Sequence, residues 1–367
     1  MDFGIISLFD FHPELQSEVP YYQDTIKAAK DAEDLGFDSI WVGQEHFYTF
    51  GICPHPAIFL AAIARETSRL RLGTSVAVTA FDHPLRRAED FAMLDVLSNG
   101  RLNLGLGRGA IPTHFEGFGA DARESKGRYE EAIEIIQKAW TEDRFSYNGE
   151  FWQFPELSVS PKPIQKPPRI WRGTVSEEGF RKAGETGTNA FVVPWSRGEE
   201  ETRKNHKIYR DLLAENGHTD AKTTAVYYVF LDRDHNAAVR EAREHMVRYA
   251  ELNNSAAQRR TSDDSLRAPK SKLFELKGRL KKIGDRVEEV GIVGTPERAI
   301  ERIKEINEGY GNAIDELVFY PQAGARSYED GLKTMRLFAE EVMPAFKDDA
   351  SVSFVNGSQS MLKTAQA

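Results

Sequence analysis

The sequence predicts an α/β fold, a single (β/α)8 TIM barrel with insertions, and three observations carry the prediction. Short apolar, β-branched segments alternate with amphipathic ones from the first residue onward. About eight such pairs fit the 367 residues, a length that suits the barrel. No Gly-x-Gly-x-x-Gly follows the first strand, where Ser7-Leu8-Phe9-Asp10 stands instead, which argues against the runner-up, a doubly wound sheet. No short-period repeat suggests a solenoid.

Residues 3–8 read as a buried strand. The helix over 21–35 places Ile26, Ala29, Ala32 and Leu35 at helical spacing and ends at Gly36. A strand over 39–42 and a helix over 55–67 follow, then a β-branched strand over 71–79 and a helix over 84–97 opened by Pro84. Residues 102–107 form the next strand, 126–140 a long helix, and the aromatic stretch 145–154 a hairpin. The proline-rich run 161–168 is extended and leads to a strand over 169–172. Helices over 177–185, 198–216 and 236–252 then alternate with strands over 190–193 and 223–230. The pattern resumes with a helix over 296–308, a strand over 314–320 and a last helix over 327–346. The barrel domain therefore spans 1–346. Residues 253–286, highly charged and poor in strand formers, are expected to be a lid insertion, and 347–367 a flexible C-terminal tail.

With 40% hydrophobic residues the chain can bury a large core, and a net charge of −9 argues against nucleic acid or an anionic membrane as partner. Cys53 is the only cysteine, so no intrachain disulfide and no cysteine-based metal centre can form. The acid at Asp2 does not suit a secretory leader and no run is long enough to span a bilayer, so the expectation is a soluble cytoplasmic protein.

The most informative stretch runs from Trp41 to Pro56, where an apolar strand meets the polar and aromatic cluster Gln44-Glu45-His46-Phe47. Loops at the carboxyl ends of parallel strands build active sites, so Glu45 and His46 are candidate catalytic residues; the plain alternative is a local ion pair and a braced loop. Gly107-Arg108-Gly109 ends a strand, and an arginine flanked by glycine can approach a phosphate closely. Lys126 or Arg128 can add a second charge. Thr174, Val175, Ser176 and Gly179 surround a helix start, where backbone amides and a hydroxyl suit an anion; Ser176 is equally a simple cap. His12, His46, His55 and His83 fall on loops but form no His-x-His pair, so no metal site is expected. Phe9, Phe11, Phe50, Trp195 and Tyr320 are candidates for an apolar substrate wall, or ordinary core.

The segment from Gln44 to Gly51 closely resembles the Glu-His-His-Phe-x-x-Phe-Gly segment of the bacterial luciferase-like flavin monooxygenases. The similarity continues through Gly73–Val76, His83–Asp90, Ser98–Leu102, Gly105–Gly109, Gly294–Glu297 and Ala339–Pro344, in order and at matching separations. The resemblance implies a flavin-binding barrel, often dimeric, that takes reduced FMN (FMNH2) from a separate flavin reductase and uses O2 to oxygenate a small organic substrate. It implies that Arg108 holds the FMN phosphate and that Ser75 and Val76 occupy a bulge or cis peptide supporting the flavin ring. It also implies a loop closing over the flavin, matched to 253–286. In the luciferases the position of Glu45 is the catalytic histidine, and Gln44 replaces the family's glutamate; this departure bears on aldehyde chemistry rather than on flavin binding. Two other readings share the barrel: a deazaflavin-dependent oxidoreductase, and a non-catalytic flavin-binding protein.

Overall fold

The computed structural model describes residues 1–166, 168–257 and 284–347; most of the expected lid and nearly all of the expected tail lie outside them. Eight parallel strands close the barrel: β1 (Asp2–Ser7), β2 (Ser39–Val42), β3 (Arg71–Thr74), β4 (Leu102–Gly107), β5 (Ile170–Arg172), β6 (Asn189–Val192), β7 (Thr223–Tyr227) and β8 (Glu316–Phe319). They pair in the order β3-β2-β1-β8-β7-β6-β5-β4, and Leu72↔Leu102 and Gly73↔Asn103 close β3 onto β4. Both faces of nearly every strand are buried, as a parallel sheet with helices outside requires.

Around it run helices α1 (Glu18–Asp34), α2 (Pro56–Glu66), α3 (Pro84–Leu97), α4 (Pro112–Phe118), α5 (Ser125–Thr141), α6 (Glu177–Thr186), α7 (Glu199–Glu215), α8 (His235–Ala257), α9 (Pro296–Gly309) and α10 (Tyr328–Leu337). Proline opens α2, α3, α4 and α9, where its missing N–H leaves no bond unmade. Ser176 and Ser327 cap α6 and α10 by accepting from the amides of Gly179 and Asp330.

The barrel interior holds Ile6, Trp41, Trp171, Phe191, Val226 and Val318. Glu316 is buried among them and accepts from Ser39, from Trp41 Nε1 at 3.3 Å and from Thr224 Oγ1 at 3.0 Å. These bonds tie β8 to β2 and β7 at the amino-terminal end of the barrel, so this carboxyl is a structural tie away from the mouth.

Most elements stand where the sequence places them; α4 is added where no element was expected, and three of the expected elements are altered. The strand expected over 71–79 is broken: β3 ends at Thr74, the Ser75–Val76 peptide is cis, and a short strand, Ala77–Val78, resumes beside β4. The strand expected over 223–230 divides into β7 and Val229–Leu231, which pairs with Ile292–Gly294 outside the barrel. The last helix loses α-geometry at Phe338 and finishes as a π-turn over Phe338–Val342.

Candidate active site

A cavity of about 730 Å³ opens at the carboxyl ends of the strands. Leu8 enters from beyond β1, Gln44 and Glu45 from beyond β2, Ser75 and Val76 from beyond β3, and Gly107 and Arg108 from the end of β4. Past β5, Gly173, Thr174, Val175 and Ser176 line it, with Gly179 from α6 and Lys126 from α5. The cavity thus gathers all the predicted site residues except His46 and Arg128.

Gly107 is glycine for a steric reason. A Cβ there would meet Val76 Cγ2 at 2.3 Å, so only a bare backbone lets the end of β4 pass against the cis segment. The resulting floor is made of backbone and small groups.

One end of the cavity is cationic. Arg108 is exposed and makes no hydrogen bond or ion pair to another described residue. Lys126 is paired with Glu178. That bond holds the Glu178 carboxyl below its ordinary range, and the charge of Arg108 adds to the effect. Ser176 Oγ accepts from Gly179 N–H at 3.3 Å as the α6 cap, which leaves its own proton free to donate into the cavity. The Thr174 hydroxyl is committed to the carbonyl of Phe191, so Thr174 shapes the turn while Ser176 offers the donor. Arg128 belongs elsewhere: it bonds Glu124, with Nη2 at 2.8 Å, and lies over the rings of Phe151 and Trp152.

The other end is acidic and shielded. Glu45 keeps 23% of its side-chain exposure, yet its Oε2 is enclosed and finds no hydrogen-bond partner. Burial pushes the carboxyl up to about 8. His114 Nε2, at 3.4 Å, is the facing group. Burial, together with the nearby His46, pushes the His114 imidazole down to about 4.

His46 lies behind this pair, outside the lining. Its Nε2 is 2.8 Å from Gln44 Nε2, and its ring meets those of Phe47, Phe81, Phe118 and His114. Gln44 Oε1 accepts from Val78 N–H at 3.0 Å and from Arg87 Nη2 at 3.2 Å. The His46 side chain thus packs within the β2 loop and against α4 and does not line the cavity.

The aromatic candidates separate. Phe50, Trp195 and Tyr320 join Tyr228 and Tyr249 in the cluster that includes Leu8 and Val193 of the cavity wall. Phe9 and Phe11 instead pack against Tyr21 in the outer core, and none of the five aromatic candidates lines the cavity itself.

Sequence reasoning missed His114 and Arg172. His114 sits on α4, bracketed by Pro112 and the left-handed Gly119, a start and stop signal that was legible. Arg172 precedes Gly173 at a strand end, as Arg108 precedes Gly109; it is buried and bonds Glu130 at 2.8 and 3.0 Å. Among the described residues no group of three or more His, Cys, Asp or Glu side chains could hold a metal, and no helix is long and apolar enough to cross a membrane.

The family model for luciferase-like monooxygenases matches residues 1–313. The chain is 29% identical over 354 residues to the oxygenase component of a flavin-dependent trigonelline monooxygenase from Acinetobacter baylyi, covering 95% of this chain and 96% of that one. The crystal structure of the monooxygenase RslO1 from Streptomyces bottropensis superposes with a TM-score of 0.83 at 28% identity, over 95% and 100% of the two chains. The oxygenating constituent of 3,6-diketocamphane monooxygenase from Pseudomonas putida, solved with FMN, shares the fold with a TM-score of 0.74 at 21% identity, over 94% and 98%.

Proposed function

The chain belongs to the luciferase-like monooxygenase family, and on that premise we propose that it is the oxygenase component of a two-component system. In this reading it takes reduced FMN from a separate flavin reductase and uses O2 to oxygenate a small organic substrate. The observation that carries the reading is the division of the cavity: cations and a helix start at one end, and a shielded carboxyl beside an apolar wall at the other.

The residues fit a flavin phosphate. Arg108 supplies an uncommitted guanidinium, Ser176 a hydroxyl and α6 its amino-terminal amides, while Lys126 can turn from Glu178 to an incoming anion. Val76 and Gly107 offer a surface without projecting polar groups on which a flat ring can rest. Reduced flavin, when bound, supplies the electrons that activate oxygen. Glu45, protonated at neutral pH, holds a proton at the reacting end of the cavity, and the apolar lining of Leu8, Val76, Val78 and Val193 limits water there.

A homodimer is part of the proposal. Ile58 on α2 and Met93, Val96 and Leu97 on α3 are exposed large apolar side chains on neighbouring helices, a face suited to a second copy.

Oxygen uptake with supplied FMNH2, with mass-spectrometric screening of aldehydes, ketones and aromatic compounds for a product heavier by one oxygen atom, tests the reading. Reduction of a deazaflavin without oxygen uptake would replace it. Sedimentation of Met93→Lys against the wild type tests the dimer.

A further inference from the structure

We infer that Glu45 and His114 form an acid–imidazole pair in which His114 is a positioning residue: its unprotonated Nε2 faces Glu45 Oε2 and keeps the carboxyl in its proton-bearing form. The inference rests on the reading of Glu45 as the proton-handling group, and it deepens that reading.

The His46 amide N–H points at His114 Nε2 at 3.3 Å. An N–H can bond only to a lone pair, so Nε2 carries no proton and the ring proton belongs on Nδ1. The same Nε2 lies 3.4 Å from Glu45 Oε2, an enclosed oxygen with no hydrogen-bond partner. A carboxylate there would set one lone pair against another in a place water does not reach. A carboxylic acid with its proton on Oε2 faces that lone pair instead and shares it with the His46 N–H in a three-centre arrangement. The contact is long for a hydrogen bond, as unliganded catalytic contacts often are.

The opposite arrangement, carboxylate and imidazolium, needs a proton on Nε2 and would turn the His46 N–H against another N–H. The amide of the β2 loop thereby selects the neutral pair. Burial acts in the same direction on both partners, raising Glu45 and lowering His114.

The other groups facing the pair do not reverse this. Tyr249 from α8 lies near Glu45 and is itself pushed up by burial and by Asp10. Asp10, behind it, is pushed up by burial despite His12 and Tyr320. His46 is pushed down by burial, with Asp82 opposing and Arg87 and His55 reinforcing.

The second oxygen, Oε1, has no partner among the described residues and is the one left to the cavity. His114 therefore decides which oxygen meets the substrate as well as whether the group carries a proton.

The test is infrared difference spectroscopy on the flavin-free protein, wild type minus Glu45→Gln, followed through pH. The expected result is a protonated-acid carbonyl band at neutral pH that disappears on alkaline titration. In His114→Leu its midpoint should fall by about one unit, because a bond to the neutral form has been removed. In His114→Gln, whose amide oxygen can accept, the midpoint should return toward the wild type. His114→Asn, too short to reach Oε2, should behave like His114→Leu and serves if that variant does not fold. The alkaline limb of turnover should move with the same midpoints. A wild-type spectrum with no acid band at neutral pH, or a midpoint unmoved in both His114→Leu and His114→Asn, overturns the pair. If the band and its shift are found but no substrate is oxygenated, the proposed function fails and the pair stands.

Discussion

Replacing Glu45 with glutamine should make the protein more stable, by an amount that grows with pH. In the folded chain Glu45 keeps its proton up to about pH 8, against an ordinary value of 4.5. The unfolded chain releases that proton from about pH 4.5 upward, so between these values the folded state binds more protons and wild-type stability falls as pH rises. One pKa unit corresponds to about 1.4 kcal/mol, which over the interval from pH 5 to 8 gives an upper bound of about 4 kcal/mol. Because Glu45 keeps 23% of its side-chain exposure, solvent screening reduces the expected difference to about 2 kcal/mol. Glutamine has nearly the same shape and no proton to release, so its stability lacks this slope. The assay is urea denaturation of wild type and Glu45→Gln at pH 5 and pH 8, compared by midpoint. The variant should gain about 2 kcal/mol on the wild type between the two. A gap of equal size at both pH values would show that Glu45 titrates normally, and the assignment of a neutral acid would fall. The same variant should lose turnover on the order of tenfold or more while keeping its flavin affinity, the pattern of a residue that acts on a proton.

Arg108→Ala should weaken FMNH2 binding by about 1.5–3 kcal/mol, read from an anaerobic binding titration, and unchanged affinity would remove Arg108 from the phosphate. Lys126→Ala should weaken the same binding, whereas Arg128→Ala should not, since Arg128 is held by Glu124 and the Phe151 and Trp152 rings; the reverse result would exchange their roles. Gly107→Ala should cost about 1–3 kcal/mol of stability through overpacking and also weaken flavin binding, because the added Cβ meets Val76 at 2.3 Å; unaltered thermal unfolding would refute the close contact. His206, bonded to Thr223 at 2.9 Å, is pushed down to about 4 mainly by burial. It stays neutral in the fold while the unfolded chain gains a proton below about pH 6.5, so stability is lost as pH falls through that window. His206→Gln should flatten this acid limb, as denaturation between pH 4 and 7 would reveal.

The sequence by itself determined the barrel's alternation and its punctuation. Proline at helix starts, serine caps, and buried strands such as 102–107 are local effects, written in neighbouring residues and in periods of two and 3.6. The glycine-flanked Arg108 and the Ser176 cap were legible for the same reason, because strand ends and helix starts carry their chemistry in adjacent positions. Tertiary structure decided what depends on the direction of a side chain after the chain leaves a regular element. Adjacent residues Glu45 and His46 diverge, one into the cavity and one into a cage of rings, because the β2 loop turns between them and Gln44 anchors it to Val78 and Arg87. Lys126 and Arg128 stand on one helix but two positions apart, so α5 directs them to different faces. Phe9 and Phe50 share a side-chain type and both lie in loops that follow a strand, yet one packs under α1 and the other beside α8. His114 is 68 residues from His46 in sequence, and only the closure of β3 onto β4 brings its imidazole beneath the His46 amide and against Glu45. Such a contact has no local period or motif to announce it, since its two halves meet only when the barrel has closed.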